Sequence, residues 1–209
     1  MLINFDKICE KYGTPRGILH LGAHLLEERE SYINKGVKNI LWIEGNSNLY
    51  NNIKFVNDDN KINYEKVIIG LISDENNIEV DFNLTNNSVS SSILKLDKHK
   101  IFHPEVFVTE TISIKTIRMD KLIEDNNINI NNFNFLNIDI QGYELKALKS
   151  FDKYLNNIDY IYTEINTDSV YVDCPMVDEI DEYLNKFNFE RIETEMTPWC
   201  WGDALYIKK

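Results

Sequence analysis

At 209 residues and 43% hydrophobic, the chain is long enough for one domain with a sizeable core and too short for two ordinary ones. A formal net charge of −12 opposes a phosphate backbone, which disfavours nucleic acid as a substrate. No apolar run approaches the ~20 residues of a membrane-crossing helix, "MLINFDKICEKYG" lacks the h-region of a signal peptide, and Cys9, Cys174 and Cys200 show no ligand or disulfide spacing, so a reduced cytoplasmic protein is expected.

Strand and helix patterns alternate along the chain. "RGILHLG" is a short apolar run ending at Gly22, and in "HLLEERESYINKG" Leu25, Leu26, Tyr32 and Ile33 form a helical stripe closed by Gly36. "KNILWIEGN" reads as a second strand, "NLYNNIKFVN" as a second helix and "YEKVIIGLIS" as a third strand, a βαβαβ order that marks a parallel sheet covered by helices. The pattern then breaks. "DENN" has the composition of a hairpin turn between "VIIGLIS" and "IEVDFNL", and "TNNSVSSSILKLDKHKIFHPE" reads as a long polar loop, of a length that is more often functional than not. "TISIKTIRM" alternates as a strand, and "DKLIEDNN" reads as a short helix capped by Asp120.

Alternation resumes with "FNFLNIDI" as strand, "YELKALKSFDKYL" as helix, "IDYIYTEI" as strand and "VDEIDEYLNKF" as helix. "FERIETEM" and "DALYIKK" follow with no helix between them, which predicts an antiparallel hairpin closing the sheet. The expectation is a single α/β domain over residues 1–209, its core starting at about residue 16, with residues 78–118 as an inserted hairpin and loop.

In open α/β sheets ligands lie beyond the carboxyl ends of the strands, so the residues just after each strand are the informative ones. After the first strand, Gly22 and Ala23 in "HLGAH" let backbone approach a ligand at a helix N-terminus. Glu44 ends the second strand 22 positions after Gly22, near the ~20-residue offset at which an acid grips a ribose. Together they point to an adenosine-containing cofactor, with His20, His24, Ser73 and Asp139 completing the candidate set. The turn lacks the further glycines of G-x-G-x-x-G. That favours a cofactor without pyrophosphate, S-adenosylmethionine, over a nicotinamide dinucleotide.

"FLNIDIQGYELKALKS" resembles the signature of the FkbM family of S-adenosylmethionine-dependent methyltransferases, and "ILHLGAH", "LWIEGN", "YIYTEIN" and "WGDALYI" are similar to its other blocks in the same order. The resemblance runs from about Arg16 to the C-terminus. It implies a Rossmann-like class I methyltransferase with a mostly parallel seven-stranded sheet, a C-terminal antiparallel hairpin and an inserted β/loop region. It also implies O-methylation of a hydroxyl on a sugar or glycan precursor. Where the family more often has Asp and Gly, this chain has His20 and Leu26, and Glu27 and Glu28 just past the turn offer a replacement carboxylate.

An alcohol is a very weak acid, so its proton has to leave as the new bond forms. Asp139 is the candidate base or orienting group, His24 an alternative base, and Glu164, in "TEIN", lines the acceptor pocket. Ser91, Ser92, His103, Gln141 and Asn166 are the further acceptor-side candidates. Glu144 reads at least as well as a partner of its helix dipole, and Trp199 and Trp201 as core aromatics. Asp139, Glu164 and Asn166 are oxygen ligands of the kind that suit Mg²⁺, but no metal is predicted. Two other functions compete: a nicotinamide-dependent oxidoreductase on a similar sheet, and a binding protein that keeps the fold without turnover. The sequence leaves open the acceptor, its hydroxyl and the oligomeric state.

Overall fold

The computed structural model describes residues 1–53 and 62–209. Its strands, in chain order, are β1 (Ile18–Leu21), β2 (Asn39–Glu44), β3 (Tyr64–Ile69), β4 (Leu71–Ile72), β5 (Glu79–Thr85), β6 (Val108–Ile117), β7 (Phe135–Ile138), β8 (Tyr160–Asn166), β9 (Phe189–Met196) and β10 (Trp201–Lys208). The helices are α1 (Phe5–Tyr12), α2 (Arg29–Asn34), α3 (His99–Phe102), α4 (Met119–Asp125), α5 (Glu144–Lys149) and α6 (Val177–Asn185).

Seven strands form one sheet in the order β3-β2-β1-β7-β8-β10-β9, parallel except for β10, which runs antiparallel to both β8 and β9. This is the expected sheet with its closing hairpin. Its centre is apolar at nearly every position because both faces are covered. Side chains alternate between two cores: Leu19, Leu41, Leu136 and Ile161 pack with α4, α5 and α6, while Ile18, Ile40, Phe135 and Tyr162 pack with α1 and α2. From β1 the chain proceeds outward to β2 and β3, and it returns to β7 on the other side of β1. That reversal of direction leaves a crevice at the carboxyl ends of β1 and β7, where such sheets bind ligands.

The structure departs from the sequence reading in five places. The stripe expected from His24 is helical only from Arg29, because His24 (φ 43°) and Leu26 (φ 66°) turn the chain and Leu25 is left exposed. The expected second helix is a 3-10 turn over Ser47–Asn52, and its remaining residues, 54–57, lie outside the described residues. "YEKVIIGLIS" divides at Gly70 between two sheets, and "DENN" does not join paired strands. Instead β4 pairs in parallel and β5 antiparallel with opposite sides of the ten-residue β6, giving a second sheet in the order β4-β6-β5. The helix-capping position falls on Arg118, two residues earlier than expected; Asp120 lies inside α4 and binds the Arg118 guanidinium at 2.7 Å. "YELKALKSFDKYL" is α5 followed by a 3-10 turn over Asp152–Asn157, because Ser150 Oγ bonds the Ala147 carbonyl and receives the Met119 amide.

α1 was not foreseen. Asn4 caps it by accepting from the Lys7 amide at 3.1 Å, and Phe5, Ile8 and Cys9 pack under the sheet. All three cysteines are free thiols. Among the described residues, no helix is long and apolar enough to cross a membrane.

Candidate active site

A cleft of about 260 Å³ fills the crevice at the ends of β1 and β7. Two strand-end turns and the insert build its walls. The first turn depends on Gly22, whose φ of +83° is left-handed and where a Cβ would lie 1.7 Å from the Asp139 carbonyl oxygen. Only glycine lets the end of β1 pass so close to the end of β7.

Glu44, at the end of β2, holds the same turn from the other side. Its Oε2 accepts the His24 amide at 2.8 Å and its Oε1 the Asn46 amide at 2.6 Å. Burial raises its pKa, and these backbone donors oppose the rise. His24 then reaches across the cleft, with Nδ1 at 2.5 Å from Glu27 Oε1 and Nε2 at 2.7 Å from Ser88 Oγ in the insert. A carboxylate only accepts, so Nδ1 carries a proton toward Glu27, while Nε2 meets the Ser88 hydroxyl.

The floor is made by residues of the lower sheet face. His20 lies beside Asn137 across the β1–β7 register, its ring is tilted 37° against Trp42 at 5.0 Å, and its Nδ1 lies 3.1 Å from the Tyr32 hydroxyl. It is 3% exposed, and burial lowers its pKa to about 4, so it is a neutral ring. Asn137 gives its Nδ2 to the Tyr32 hydroxyl at 2.8 Å, while its buried Oδ1 has no partner. Asp203, from β10, accepts the Leu2 amide at 2.6 Å and the Tyr162 hydroxyl, and the α-ammonium of Met1 lies 3.8 Å from Glu28.

Asp139 stands at the end of β7 between floor and wall. Its side chain opens onto the cleft, yet protein crowds it on the remaining sides; this desolvation raises its pKa, and the Asp203 charge adds to the rise. Gln141 Nε2 donates to Asp139 Oδ1 at 2.6 Å and to Glu164 Oε2 at 3.0 Å. Glu164 is buried, and its pKa is raised well above the usual range by burial and then by the charges of Asp139, Glu144 and Asp203. Glu144 is fully buried. Its Oε1 accepts the Ile140 and Gly142 amides, both at 3.1 Å, so it shapes the turn after β7 rather than facing solvent at the helix start.

Of the residues proposed from sequence, His20, Gly22, His24 and Glu44 meet Ser91, Asp139 and Gln141 around this one cleft. Ala23 is buried under the first turn. Ser73 is buried, with its hydroxyl on Asp74 at 3.2 Å. Ser92, Glu164 and Asn166 are buried too: Ser92 donates to the Gln141 carbonyl at 2.7 Å, and both amide atoms of Asn166 lack partners. His103 does not line the cleft; its ring meets His99 at 5.1 Å and Trp199 at 5.0 Å. Sequence reasoning missed Asn137, Tyr162 and Asp203. Each is a polar group inside an apolar strand, which was the available signal, and the register that brings β10 to β8 was not.

A model of the FkbM methyltransferase domain matches residues 13–191. The chain belongs to the FkbM methyltransferase family. No curated protein matches the sequence. Solved structures that superpose on this FkbM methyltransferase include a Pyrococcus horikoshii protein provisionally described as an RNA methyltransferase, at 12% identity and TM-score 0.48, covering 97% of this chain and 78% of that one. A second is a SAM-dependent methyltransferase of Aquifex aeolicus, at 10% identity and TM-score 0.47, covering 98% of this chain and 89% of that one.

The donor set around the FkbM cleft has a marked charge. Glu27, Glu28, Glu44, Asp139 and Asp203 line it, and among the described residues no Lys or Arg does. Such a wall attracts a sulfonium with its ammonium group and repels a pyrophosphate. The residues present therefore fit S-adenosylmethionine and do not fit a dinucleotide. Among the described residues, no three His, Cys, Asp or Glu side chains are grouped to hold a metal ion.

Proposed function

We propose that this FkbM methyltransferase uses S-adenosylmethionine to methylate a hydroxyl of a sugar or glycan precursor. One observation carries the cofactor: a cleft with the Gly22 turn on one side and Glu44 on the other, lined by five carboxylates and by no Lys or Arg among the described residues. S-adenosylmethionine, when bound, supplies an electrophilic methyl group on a sulfonium and departs as the neutral thioether. Gly22 would give it backbone approach, Glu44 would face its ribose, and the acids of the floor would hold its ammonium.

The chain's own part in the reaction is to orient the acceptor and take its proton. Asp139 suits that role. Oδ1 is occupied by Gln141, while Oδ2 has no hydrogen bond among the described residues and is free to accept the hydroxyl proton as the O–C bond forms. Its raised pKa brings its basicity closer to neutral pH, where a general base works best. The family resemblance supports the sugar class, and the acidic cleft favours an uncharged, hydroxyl-rich acceptor over a nucleic acid.

Calorimetry with S-adenosylmethionine, S-adenosylhomocysteine and NAD tests the cofactor. Binding of NAD alone would return the oxidoreductase reading, and binding of the adenosylmethionine pair with no transfer to any hydroxyl would leave a binding protein. A mass-spectrometric screen of sugars and glycans for the gain of one methyl group, run beside Asp139→Asn, tests the reaction.

A further inference from the structure

We propose that Gln141 is a positioning residue: its amide donates to Asp139 and Glu164 at once, and so favours the ionised form of Asp139 while leaving one of its oxygens free for the acceptor. The inference deepens the reading of Asp139 as base and rests on it.

Four contacts fix Gln141. Its backbone has φ 57°, a left-handed conformation that residues with a side chain rarely adopt. That conformation is held from the insert, where the Ser92 hydroxyl donates to the Gln141 carbonyl at 2.7 Å, and from α5 through Glu144 on the flanking amides. The side-chain orientation is set by Tyr171, whose hydroxyl donates to Gln141 Oε1 at 2.5 Å. Tyr171 is 1% exposed, and burial followed by the charges of Glu164, Asp139 and Glu144 raises its pKa, so it stays a phenol and a donor. A flipped amide would set Oε1 against the Asp139 carboxylate and Nε2 against that donor. The two Nε2 hydrogens must therefore point at Asp139 and Glu164.

Two acids within reach of one amide nitrogen would otherwise share a proton, as closely placed carboxylates do. A shared proton would occupy the very group that has to receive one. The other groups facing Asp139 do not remove this conflict. Asp203 from β10 and Glu28 before α2 add negative charge, Glu144 from α5 and Glu164 from β8 are further acids that compete for the proton, and among the described residues the Met1 ammonium opposes them. Gln141 is the group placed to donate to both acids at once.

The experiment reads the Asp139 carboxyl directly, with no acceptor needed. Full-length protein labelled with ¹³Cγ-aspartate is titrated by NMR, the Asp139 resonance being assigned by its loss in Asp139→Asn. In Gln141→Leu the Asp139 midpoint is expected to rise by about one pH unit or more, the size of shift that losing a donor to the charged form produces beside a second acid. Tyr171→Phe keeps the amide but frees its orientation, so a smaller rise is expected. An unchanged or lowered midpoint in Gln141→Leu overturns the proposal, and if that variant fails to fold, Tyr171→Phe decides on the same criterion. A structural role alone would lower stability without moving the midpoint. Failure of the methyl-transfer reading would show instead as absent cofactor binding, with this titration unaffected.

Discussion

The backbone N–H of His24 donates to Glu44 Oε2 at 2.8 Å, so the acid that ends β2 fixes the turn that ends β1. Glu44 therefore orders the turn, and under the proposed function it also faces the ligand. Glu44→Ala is expected to weaken S-adenosylhomocysteine binding by roughly 1–3 kcal/mol, the range for removing a charged hydrogen-bond partner. Isothermal calorimetry on the folded variant checks this, and an unchanged Kd would remove Glu44 from the site.

The contact of β1 with β7 at Gly22 makes a second expectation. A methyl group there would lie 1.7 Å from the Asp139 carbonyl oxygen on a residue already at φ +83°. Gly22→Ala should cost more than about 1 kcal/mol, since the backbone is incompatible with the new side chain. Urea denaturation measures it; wild-type stability would mean that the two strand ends can part without penalty.

Asp139 and Glu144 should separate chemistry from scaffold. Asp139→Asn keeps size and removes charge, and is expected to cut turnover by on the order of 10²-fold or more with the fold retained. Glu144→Ala strips the acceptor from the Ile140 and Gly142 amides and should lower stability by about 1–3 kcal/mol. Parallel melting and methyl-transfer assays distinguish them, and a fully active Asp139→Asn would end its candidacy as base.

His20 should leave a mark on the pH dependence of stability. Its folded pKa of about 4 lies below the ordinary value of 6.5, so between these values the unfolded chain binds the extra proton. Stability is then fully present above pH 6.5 and falls as pH drops toward 4, by up to about 3 kcal/mol. The raised carboxyls of the site act in the opposite sense, losing stability as pH rises above their unfolded values. The comparison of wild type with His20→Asn isolates the histidine: the difference between their denaturation free energies should grow smaller on acidification through this window, and a constant difference would contradict a buried neutral ring.

Much of this was legible because periodicity and strand-end chemistry are local. β1, β2, β7 and β8 are buried on both faces and read as continuous apolar runs, so Gly22, Glu44 and Asp139 could be placed at strand ends from the sequence alone. The 24–28 turn was not legible: Leu25 and Leu26 fit a helical stripe, and only the distant Glu44 shows why the amide of His24 is drawn out of it. Glu144 read as a helix-terminus acid because spacing gives position and not burial, whereas its carboxylate turns back onto the preceding loop. The pairing of β6 with strands on both sides likewise depends on long-range register that alternation cannot specify.

The short segment from Ser88 to Ser92 touches the cleft twice, through His24 Nε2 and through the Gln141 carbonyl. A protein engineer who grafted the corresponding region of another family member onto this chain, hoping to redirect acceptor choice, would cut both ties at once. Under the proposed function, a change of this segment would alter the acceptor side of the cleft and the setting of Gln141 together. A workable chimera would have to keep a hydroxyl at each of these two positions, even if every other residue of the transplanted loop were foreign.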